Sequence, residues 1–385
     1  MNKNIRLVSK IALALFLTLG LAACSGLRGP SYTFSPGLSE RNAAAVDEIE
    51  QEILQADADL DVARNGHPKI PIEINEAVQK WIHFFTVTDR DRFERFLARG
   101  SMYKNTVQKI LKENGVPPEL YYLAMVESGY MTNARSRAKA VGAWQFIRGT
   151  GLRYGLKQNR YLDERRDIIR STKAAAIYLS GLHTAFQSWY LAMASYNAGE
   201  GRILGAVVKG NSRNFWDLVD RKALPPETRN YVPKILAAII IGKHPQRYGF
   251  KNFEESPFPE VEIAHVPGGV RLRDIANRSD LSLTQLRFLN PHLIRQITPA
   301  NMKTYDIWVP AGQAKEIEGM RSKFARVRHV VRHRRIARKV HRVRRGEALS
   351  LISDRYGVPL AKIKRANDLR SNRIYAGQSL VIPSI

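Results

Sequence analysis

Cysteine is almost absent from the 385 residues, because Cys24 is the only one. An internal disulfide and a cysteine-rich zinc site are therefore excluded. Acidic residues are scarce beside basic ones, 35 against 61, and the formal net charge is +26. This excess favours a polyanionic partner such as nucleic acid, an anionic membrane or an acidic cell wall. A hydrophobic content of 44% excludes a wholly disordered chain, and the length suggests two or three folded units.

The first 23 residues have the features of an export signal. Three basic residues precede an apolar stretch at 11–19, which is too short to span a membrane comfortably. Small residues lead from there to Cys24, and residues 1–23 resemble a bacterial lipoprotein signal with its lipobox. The resemblance implies cleavage before Cys24, lipidation of that residue and a membrane anchor, to which each buried CH₂ contributes about 0.8 kcal/mol. Since Ser25 follows rather than an aspartate, we predict an outer-membrane lipoprotein facing the periplasm; the alternative is an ordinary secretory signal with an incidental cysteine.

Hydrophobic patterning divides the rest of the chain. Residues 24–74 combine a tether rich in Gly and Pro with a segment of helical spacing at 39–64. Short apolar segments of helical character, separated by Gly and Pro, fill residues 75–256. No series of alternating strands is found there, so the pattern predicts a compact helical domain.

The last part of the chain contains an internal repeat. Residues 266–290 match residues 343–367 at an offset of 77, and the endings 307–310 and 380–383 match at an offset of 73. The first copy therefore has four extra residues in its last loop (77 − 73). Each copy is predicted to form a strand, two helices and a strand. The two predicted βααβ modules occupy residues 257–312 and 339–385.

A basic run separates the modules and gives the predicted linker 313–338. Residues 321–345 include twelve Arg or Lys and no Asp or Glu. Such a run repels itself, so we expect an extended, solvated linker. Attachment to anionic wall polymer or lipid is the alternative. RNA binding is disfavoured, because Phe324 is the one aromatic residue available for stacking on bases.

Four short motifs carry the candidate chemistry. Glu127 follows the apolar helical segment 123–126, and desolvation there should raise the pKa of its carboxyl group. A carboxyl group that keeps its proton near neutral pH can serve as a general acid for a glycosidic oxygen. A glutamate in this position is by itself weak evidence, since most are solvent-facing or salt-bridged. Three motifs follow it: Gly-Ala-Trp-Gln-Phe-Ile at 142–147, Ala-Ser-Tyr-Asn-Ala-Gly at 194–199 and Glu-Thr-Arg-Asn-Tyr-Val at 227–232.

In this order and over roughly a hundred residues, the motifs resemble those of the family 1 lytic transglycosylases. The resemblance implies a mainly α structure, with a goose-type-lysozyme-like catalytic domain followed by two small βααβ LysM-like domains. It also implies cleavage of the β-1,4 bond between N-acetylmuramic acid and N-acetylglucosamine in peptidoglycan, which leaves a 1,6-anhydromuramic acid end. A hydrolysing muramidase of the same fold and a non-catalytic peptidoglycan-binding lipoprotein are the alternatives.

The same resemblance assigns roles to individual residues. Glu127 would protonate the leaving oxygen and then accept the proton of the C6 hydroxyl group of the muramic acid, so that one carboxylate suffices where ordinary glycosidases need two. Glu227 is the one other acid in the motifs, and we interpret it as structural without excluding a role. We expect Trp144 in the core and tight backbone turns at Gly142 and Gly199. The substrate-binding residues are predicted to be Ser128, Gln145, Phe146, Tyr196, Asn197 and Tyr231, with Tyr231 holding Glu127.

The repeated modules resemble lysin motifs, which bind chains of N-acetylglucosamine. In the second module two segments would flank a shallow sugar groove: Gly346, Glu347, Ala348 and Leu349, and Arg373, Ile374 and Tyr375. Val270 replaces the acidic residue in the first module, which is therefore expected to bind weakly or to act as a spacer. The predicted partners are peptidoglycan glycan strands and, through the lipid anchor, a membrane. We expect no nucleic acid, metal or cofactor, and a monomer.

Overall fold

The computed structural model describes residues 69–251, 253, 257–324, 339–369 and 371–383. The predicted signal segment, Cys24, the helical segment 39–64 and most of the basic linker lie outside the described residues. Of the described residues, those up to 324 belong to one compact unit and those from 339 onward belong to a second. The helices in these ranges are all too short or too polar to cross a membrane.

The helical domain is formed by residues 69–251, and the mainly α prediction is confirmed. A π-helical turn at Phe84–Thr88 and short 3₁₀ turns at Pro118–Leu120, Glu164–Arg166 and Pro245–Tyr248 connect the longer elements. The α-helices are α1 (Glu76–His83), α2 (Arg90–Ser101), α3 (Lys104–Glu113), α4 (Tyr121–Ser128), α5 (Arg148–Arg153), α6 (Ile168–Phe186), α7 (Trp189–Ala198), α8 (Glu200–Gly210), α9 (Phe215–Asp220) and α10 (Pro226–Lys243).

Helices α4 and α10 pack together in the core and position the motifs. From Tyr231 to Ile241 every residue of α10 is buried, and α4 is buried at all positions but one. A helix that is apolar on all sides is most stable when neighbours surround it. Gly129 adopts a left-handed conformation and ends α4, and a Cβ at this position would lie 2.2 Å from the Phe96 ring. Glu127 therefore lies in the last turn of α4, next to the second turn of α10.

The first module has the predicted βααβ order. Its elements are β1 (Val261–Pro267), α11 (Leu272–Ala276), α12 (Leu283–Leu289), β2 (Thr304–Pro310) and a further helix, α13 (Ala314–Gly319). Strands β1 and β2 are antiparallel, with Val261 opposite Pro310. Ile317 and Phe324 are buried in the core of this module. The linker therefore does not begin at residue 313 as predicted, because residues 314–324 contribute apolar side chains to the first module.

The second module repeats this order with β3 (Lys339–Arg342), α14 (Leu349–Tyr356), α15 (Leu360–Ala366) and β4 (Ser379–Ile382). Its two strands are also antiparallel, with Arg342 opposite Ser379.

A repeated asparagine fixes the last strand in both modules. Asn290 donates from Nδ2 to the carbonyl oxygen of Trp308 at 2.7 Å and accepts from the Trp308 amide at 2.8 Å. Asn367 makes the same pair of bonds with Val381, at 2.8 and 2.7 Å. One side-chain amide thus substitutes for a strand neighbour, and this explains why the asparagine recurs at the offset of 77.

Candidate active site

The candidate acid is held by the late tyrosine. Glu127 is half-buried, and its Oε1 accepts a hydrogen bond of 2.5 Å from the phenol of Tyr231. Tyr231 is buried in α10, where its ring has little freedom to move. The structure therefore brings together these two residues from motifs that lie 104 positions apart.

Ser128 ties the end of α4 to the next motif. Its hydroxyl group donates to the carbonyl oxygen of Ala143 at 2.8 Å, and the side chain is 7% exposed. The same loop contains Trp144, which is fully buried and donates from Nε1 to the hydroxyl oxygen of Thr172. The prediction of a core role for Trp144 is confirmed. The hydroxyl group of Ser128 is therefore used within the protein, where it fixes the loop beside Glu127.

Gln145 follows at the surface of this loop in a left-handed backbone conformation, with φ of 48°. Its side chain is half-buried and donates from Nε2 to the carbonyl oxygen of Gly142 at 2.8 Å. Gly142 has φ of +88°, and a Cβ there would lie 1.9 Å from the carbonyl oxygen of Arg165. The expected tight turn at Gly142 is confirmed, and the close approach of a second segment explains why no side chain fits.

Tyr196 forms the next part of the site. Its hydroxyl group donates to the carbonyl oxygen of Trp144 at 2.7 Å, and its ring meets Phe146 edge to face at 6.2 Å. Burial raises the pKa of Tyr196 well above its ordinary value of 10, and the nearby carboxylate of Glu127 raises it further. The phenol is therefore neutral and acts as a hydrogen-bond donor. Phe146 is 2% exposed, so its ring supports Tyr196 from the core and presents little surface to a ligand.

Asn197 is held by the first turn of α10. Its Oδ1 accepts from the hydroxyl group of Thr228 at 3.0 Å, and its Nδ2 lies 3.4 Å from Oε1 of the exposed Glu227. Gly199 follows at φ of +88° and allows the chain to turn between α7 and α8, as predicted. The ends of α4 and α7, the start of α10 and the loop 142–147 thus converge around Glu127.

Two supports of this site were not assigned individually from the sequence. Thr228 holds Asn197, and Arg165 donates from Nη1 to the carbonyl oxygens of Phe146 and Lys139 at 3.0 and 3.1 Å. Thr228 lies in the quoted 227–232 motif, so its position was a usable signal. Arg165 lies in the charged segment 162–167, which resembles the same family and is predicted to be scaffold, but its charge gives no sign that it is buried against the loop.

In the second module, the residues that flank the predicted groove segments are joined by backbone hydrogen bonds. The Val343 amide donates to the carbonyl oxygen of Gln378, and the Gly377 amide donates to that of Val343, each at 2.8 Å. Tyr375 is 70% exposed, and Gly346, Ala348 and Arg373 are also exposed, whereas Leu349 belongs to the core. Ile374 is half-buried and packs against that core.

Glu347 is used within the second module. Its carboxylate accepts from the Arg344 amide at 2.8 Å, from His341 Nε2 at 2.7 Å and from Arg355 Nη1 at 2.6 Å. These hydrogen bonds, that of the Arg344 amide first, lower the pKa of Glu347 to about 2. The residue is therefore ionised at neutral pH and holds the first loop of the module in place.

The first module has a different loop arrangement. Val270 is fully buried, its amide donates to Thr298 Oγ1 at 2.9 Å, and its carbonyl oxygen accepts from the Thr298 amide at 2.9 Å. The amides of Gly268, Gly269 and Leu272 are also bonded to residues 296–303. The longer last loop thus lies against the first loop, and the amides that could have faced a ligand are occupied.

Comparison with known proteins places these observations in a family. The model of the transglycosylase SLT domain matches residues 105–219, that of the LysM domain matches 341–383, and that of the LysM-like domain of lytic transglycosylase MltD matches 260–323. Membrane-bound lytic murein transglycosylase D of Escherichia coli K12 is 34% identical over 318 residues, covering 80% of this chain and 68% of that protein. Peptidoglycan transglycosylase gp16 of phage T7 is 27% identical over 229 residues, covering 58% of this chain and 16% of that protein.

Solved structures give a weaker likeness. An inactive mutant of lytic transglycosylase Slt from Pseudomonas aeruginosa aligns with a TM-score of 0.32 at 23% identity, over 40% of this chain and 26% of that one. The soluble lytic transglycosylase SLT70 of Escherichia coli aligns with a TM-score of 0.33 at 16% identity, over 56% of this chain and 46% of that one.

The match to the transglycosylase SLT domain and the likeness to the relative from Escherichia coli K12 define the class of enzyme as a lytic transglycosylase. Two LysM-type modules follow that domain in the same chain. The chain belongs to the family of membrane-bound lytic murein transglycosylase D.

Proposed function

We propose that the enzyme cleaves the β-1,4 bond between N-acetylmuramic acid and N-acetylglucosamine in peptidoglycan and forms a 1,6-anhydromuramic acid end. The observation that carries the proposal is the hydrogen bond between Tyr231 and Glu127. It lies where residues of all four motifs meet. The names of two relatives give peptidoglycan, also called murein, as their substrate.

Glu127 performs both proton transfers. The protonated carboxyl group first gives its proton to the glycosidic oxygen as the bond to C1 breaks, and positive charge develops on the sugar ring. The resulting carboxylate then accepts the proton of the C6 hydroxyl group while that oxygen bonds to C1. Glu127 ends in its starting protonation state, and no water enters the product.

The other residues of the cleft bind and position the sugars. Gln145 and Asn197 are half-buried and carry amide groups that can donate and accept, so both suit hydroxyl and N-acetyl groups. Tyr196 lies next to Glu127 and borders the reacting centre. Ser128 and Phe146 are more enclosed, and we propose that they act on the substrate mainly by shaping the loop 142–147.

We further propose that the second module binds glycan strands in the groove between residues 346–349 and 373–375. Backbone amides and the exposed Tyr375 would supply its contacts, because the Leu349 side chain is in the core and Glu347 is fully bonded. Anchoring through lipidated Cys24 in the outer membrane, facing the periplasm, and a monomeric state are parts of the same proposal. They accord with the membrane-bound relative named above. Apart from the later start of the linker, the domain boundaries remain predictions.

Substitution of the acid tests the mechanism. Glu127→Gln keeps the shape of the side chain but cannot cycle a proton, so we expect glycan cleavage to fall by ~10²–10⁴-fold, the range of general acid–base catalysis. Glu227→Gln is the matched control: it makes the same change on an exposed residue of the adjoining α10 turn, and we expect most of the activity to remain. Unchanged clearing of purified sacculi by the Glu127 variant would remove this residue from the mechanism.

The product distinguishes lyase from hydrolase. Mass spectrometry of glycan fragments should show muramic acid ends that are lighter by one water than reducing ends. Reducing ends as the main product would identify a hydrolysing muramidase, and loss of activity in Glu227→Gln would then point to that residue as the second acid.

A further inference from the structure

The first module contacts the helical domain through buried polar groups. Trp308 in β2 donates from Nε1 to Oδ2 of Asp167 at 2.6 Å. Tyr305, in the same strand, donates its hydroxyl group to Oε1 of Glu164 at 3.0 Å. Asp167 and Glu164 are 1% and 5% exposed. Buried carboxylates need partners of this kind, so the module supplies bonds that the helical domain does not provide.

His292 completes this contact. It is fully buried, its Nδ1 lies 3.1 Å from Oδ2 of Asp167, and its Nε2 lies 3.1 Å from Nη1 of Arg170. Because arginine has donors alone, Nε2 accepts and the proton is on Nδ1. Nδ1 lies close to Asp167 but makes no hydrogen bond with it. Arg170 also donates from Nη2 to the carbonyl oxygen of Asp306 at 3.0 Å. The Asp163 amide donates to the carbonyl oxygen of His292 at 2.9 Å.

The acidic segment held in this way reaches the active-site loop. Asp163 pairs with Arg165 at 2.7 Å, and Arg165 donates in turn to the carbonyl oxygen of Phe146. The backbone of Arg165 also lies directly against Gly142, where no Cβ fits. Through Arg165, the segment 163–167 therefore contacts the loop 142–147 near both ends of the loop, at Gly142 and at Phe146.

A second connection runs through α6. Asp167 caps this helix by accepting from the Arg170 amide at 2.9 Å. One turn further along, Thr172 accepts the Trp144 indole hydrogen at 2.9 Å. Asp167 therefore has two roles. It accepts a hydrogen bond from Trp308 of the first module, and it caps α6, the helix whose Thr172 bonds to Trp144.

The loop itself holds two neighbours of the acid. Its carbonyl oxygens at Ala143 and Trp144 accept from Ser128 and Tyr196. Ser128 is adjacent to Glu127 in the chain, and Tyr196 is close enough for its pKa to respond to the Glu127 carboxylate. A shift of this loop would therefore move groups on two sides of the acid.

We propose that the first module is a part of the catalytic unit: Trp308, Tyr305 and His292 are positioning residues that hold the loop 142–147 next to Glu127. The module's own groove is closed by its longer loop, which accords with a role other than sugar capture. The inference rests on the proposed roles of Glu127 and the cleft around it.

Two conservative substitutions in the full chain test this proposal. Trp308→Phe and Tyr305→Phe each remove one hydrogen-bond donor and keep an aromatic ring. The matched control is Tyr190→Phe, which removes a bond of 2.6 Å to the carbonyl oxygen of Pro71, elsewhere in the helical domain. The readouts are kcat and KM on soluble glycan strands, well below the unfolding temperature, and hydrogen exchange of residues 139–147 followed by mass spectrometry.

For Trp308→Phe we expect kcat to fall about tenfold with KM nearly unchanged, below the ~10²-fold that a misplacement of 1 Å can cost. Tyr305→Phe should show a smaller fall. Exchange of residues 139–147 should speed up in both variants, while that of the buried residues 231–241 stays as in the wild type.

Two outcomes would overturn the proposal. One is an unchanged kcat in both variants, and the other is an equal fall in Tyr190→Phe, which would indicate a general loss of stability. Failure of the proposed mechanism is distinguishable, because it would appear as retained activity in Glu127→Gln whatever the module variants do.

Discussion

The two βααβ modules share the same arrangement of strands and helices, but their first loops differ in what covers them. Both clamp their last strand with an asparagine, Asn290 or Asn367, and both have a glycine with positive φ in the first loop, Gly269 or Gly346. In the first module the last loop is longer and covers the first loop. In the second module the first loop is held from within by Glu347, and the groove segments are largely exposed. Framework bonds thus preserve the fold, while the loops decide whether a module can present a groove.

Neighbouring residues reinforce this difference. His341 and Arg355 donate hydrogen bonds to Glu347 in the second module, and the offset of 77 places Ala264 and Arg278 at their positions in the first. Ala264 is buried and Arg278 is exposed. The first module therefore lacks the acidic residue and its histidine partner but keeps an arginine at the third position. Its polar side chains contact the helical domain instead.

Exchange of the loop residue should produce the largest effect. Val270→Glu would bury a carboxylate without the histidine that pairs with it in the second module, and an uncompensated buried charge costs about 3–5 kcal/mol. We expect the free energy of unfolding of the first unit to fall by this amount. Tryptophan fluorescence in urea reports on this unit, because all five tryptophans lie between residues 81 and 308.

The reciprocal change, Glu347→Val, is the control. It leaves the Arg344 amide and His341 without their acceptor, but near the surface, so the second unit should be destabilised less. A smaller loss for Val270→Glu than for Glu347→Val would contradict the contrast drawn between the two loops.

Removal of the second module should separate binding from catalysis. In a chain that ends at residue 324, affinity for insoluble peptidoglycan should fall by ~10²-fold, because a linked binding module adds avidity of this order. The kcat on soluble glycan strands should stay the same, since the first unit is complete. Tyr375→Ala should reproduce part of the loss, whereas Leu351→Ala, which also removes an exposed apolar side chain of the second module, should not. Equal binding by the truncated chain would assign glycan capture elsewhere.

Much of this organisation could be predicted from the sequence, because it depends on local patterns. Helical spacing, turn glycines and the repeat at an offset of 77 gave the fold class and the two modules, and the four motifs gave Glu127 and Tyr231. Tertiary contacts were beyond reach: that Ser128 bonds to Ala143, or that Trp308 bonds to Asp167, depends on packing between distant segments. Residues 314–324 were assigned to the linker because their charge masked the buried Ile317 and Phe324.

The asparagine clamps offer a smaller test of the shared framework. Asn290→Ala leaves the Trp308 amide and carbonyl group without partners in a buried site, and we expect a loss of about 2–3 kcal/mol. Asn367→Ala does the same to Val381 in a half-buried site and should cost about 1 kcal/mol. Urea unfolding measures the loss in the first unit by tryptophan fluorescence, and hydrogen exchange of residues 339–383 measures it in the second. Equal losses would show that burial does not distinguish the two clamps.

The smallest expected effect is a difference between the two units in how their stability depends on pH, through His292 in the first and Glu347 in the second. Burial lowers the pKa of His292 from 6.5 to about 4, and Arg170 adds to this while Asp167 opposes it; Tyr305 is the other titratable group that faces the ring. Between these pH values the unfolded chain binds a proton that the folded chain does not, so stability falls as the pH falls from 6.5 to 4.

At pH 5.5 the first unit should have lost about 1 kcal/mol through this residue, and His292→Gln should show a flatter pH dependence than the wild type. The second unit should not respond at pH 5.5, because the Glu347 contribution is present above 4.5 and is lost as the pH falls towards 2. Unfolding curves at pH 7 and 5.5 test this prediction. If the His292→Gln variant is as pH-sensitive as the wild type, His292 does not carry the response. The contact between the first module and the helical domain would then tolerate a second positive charge beside Arg170.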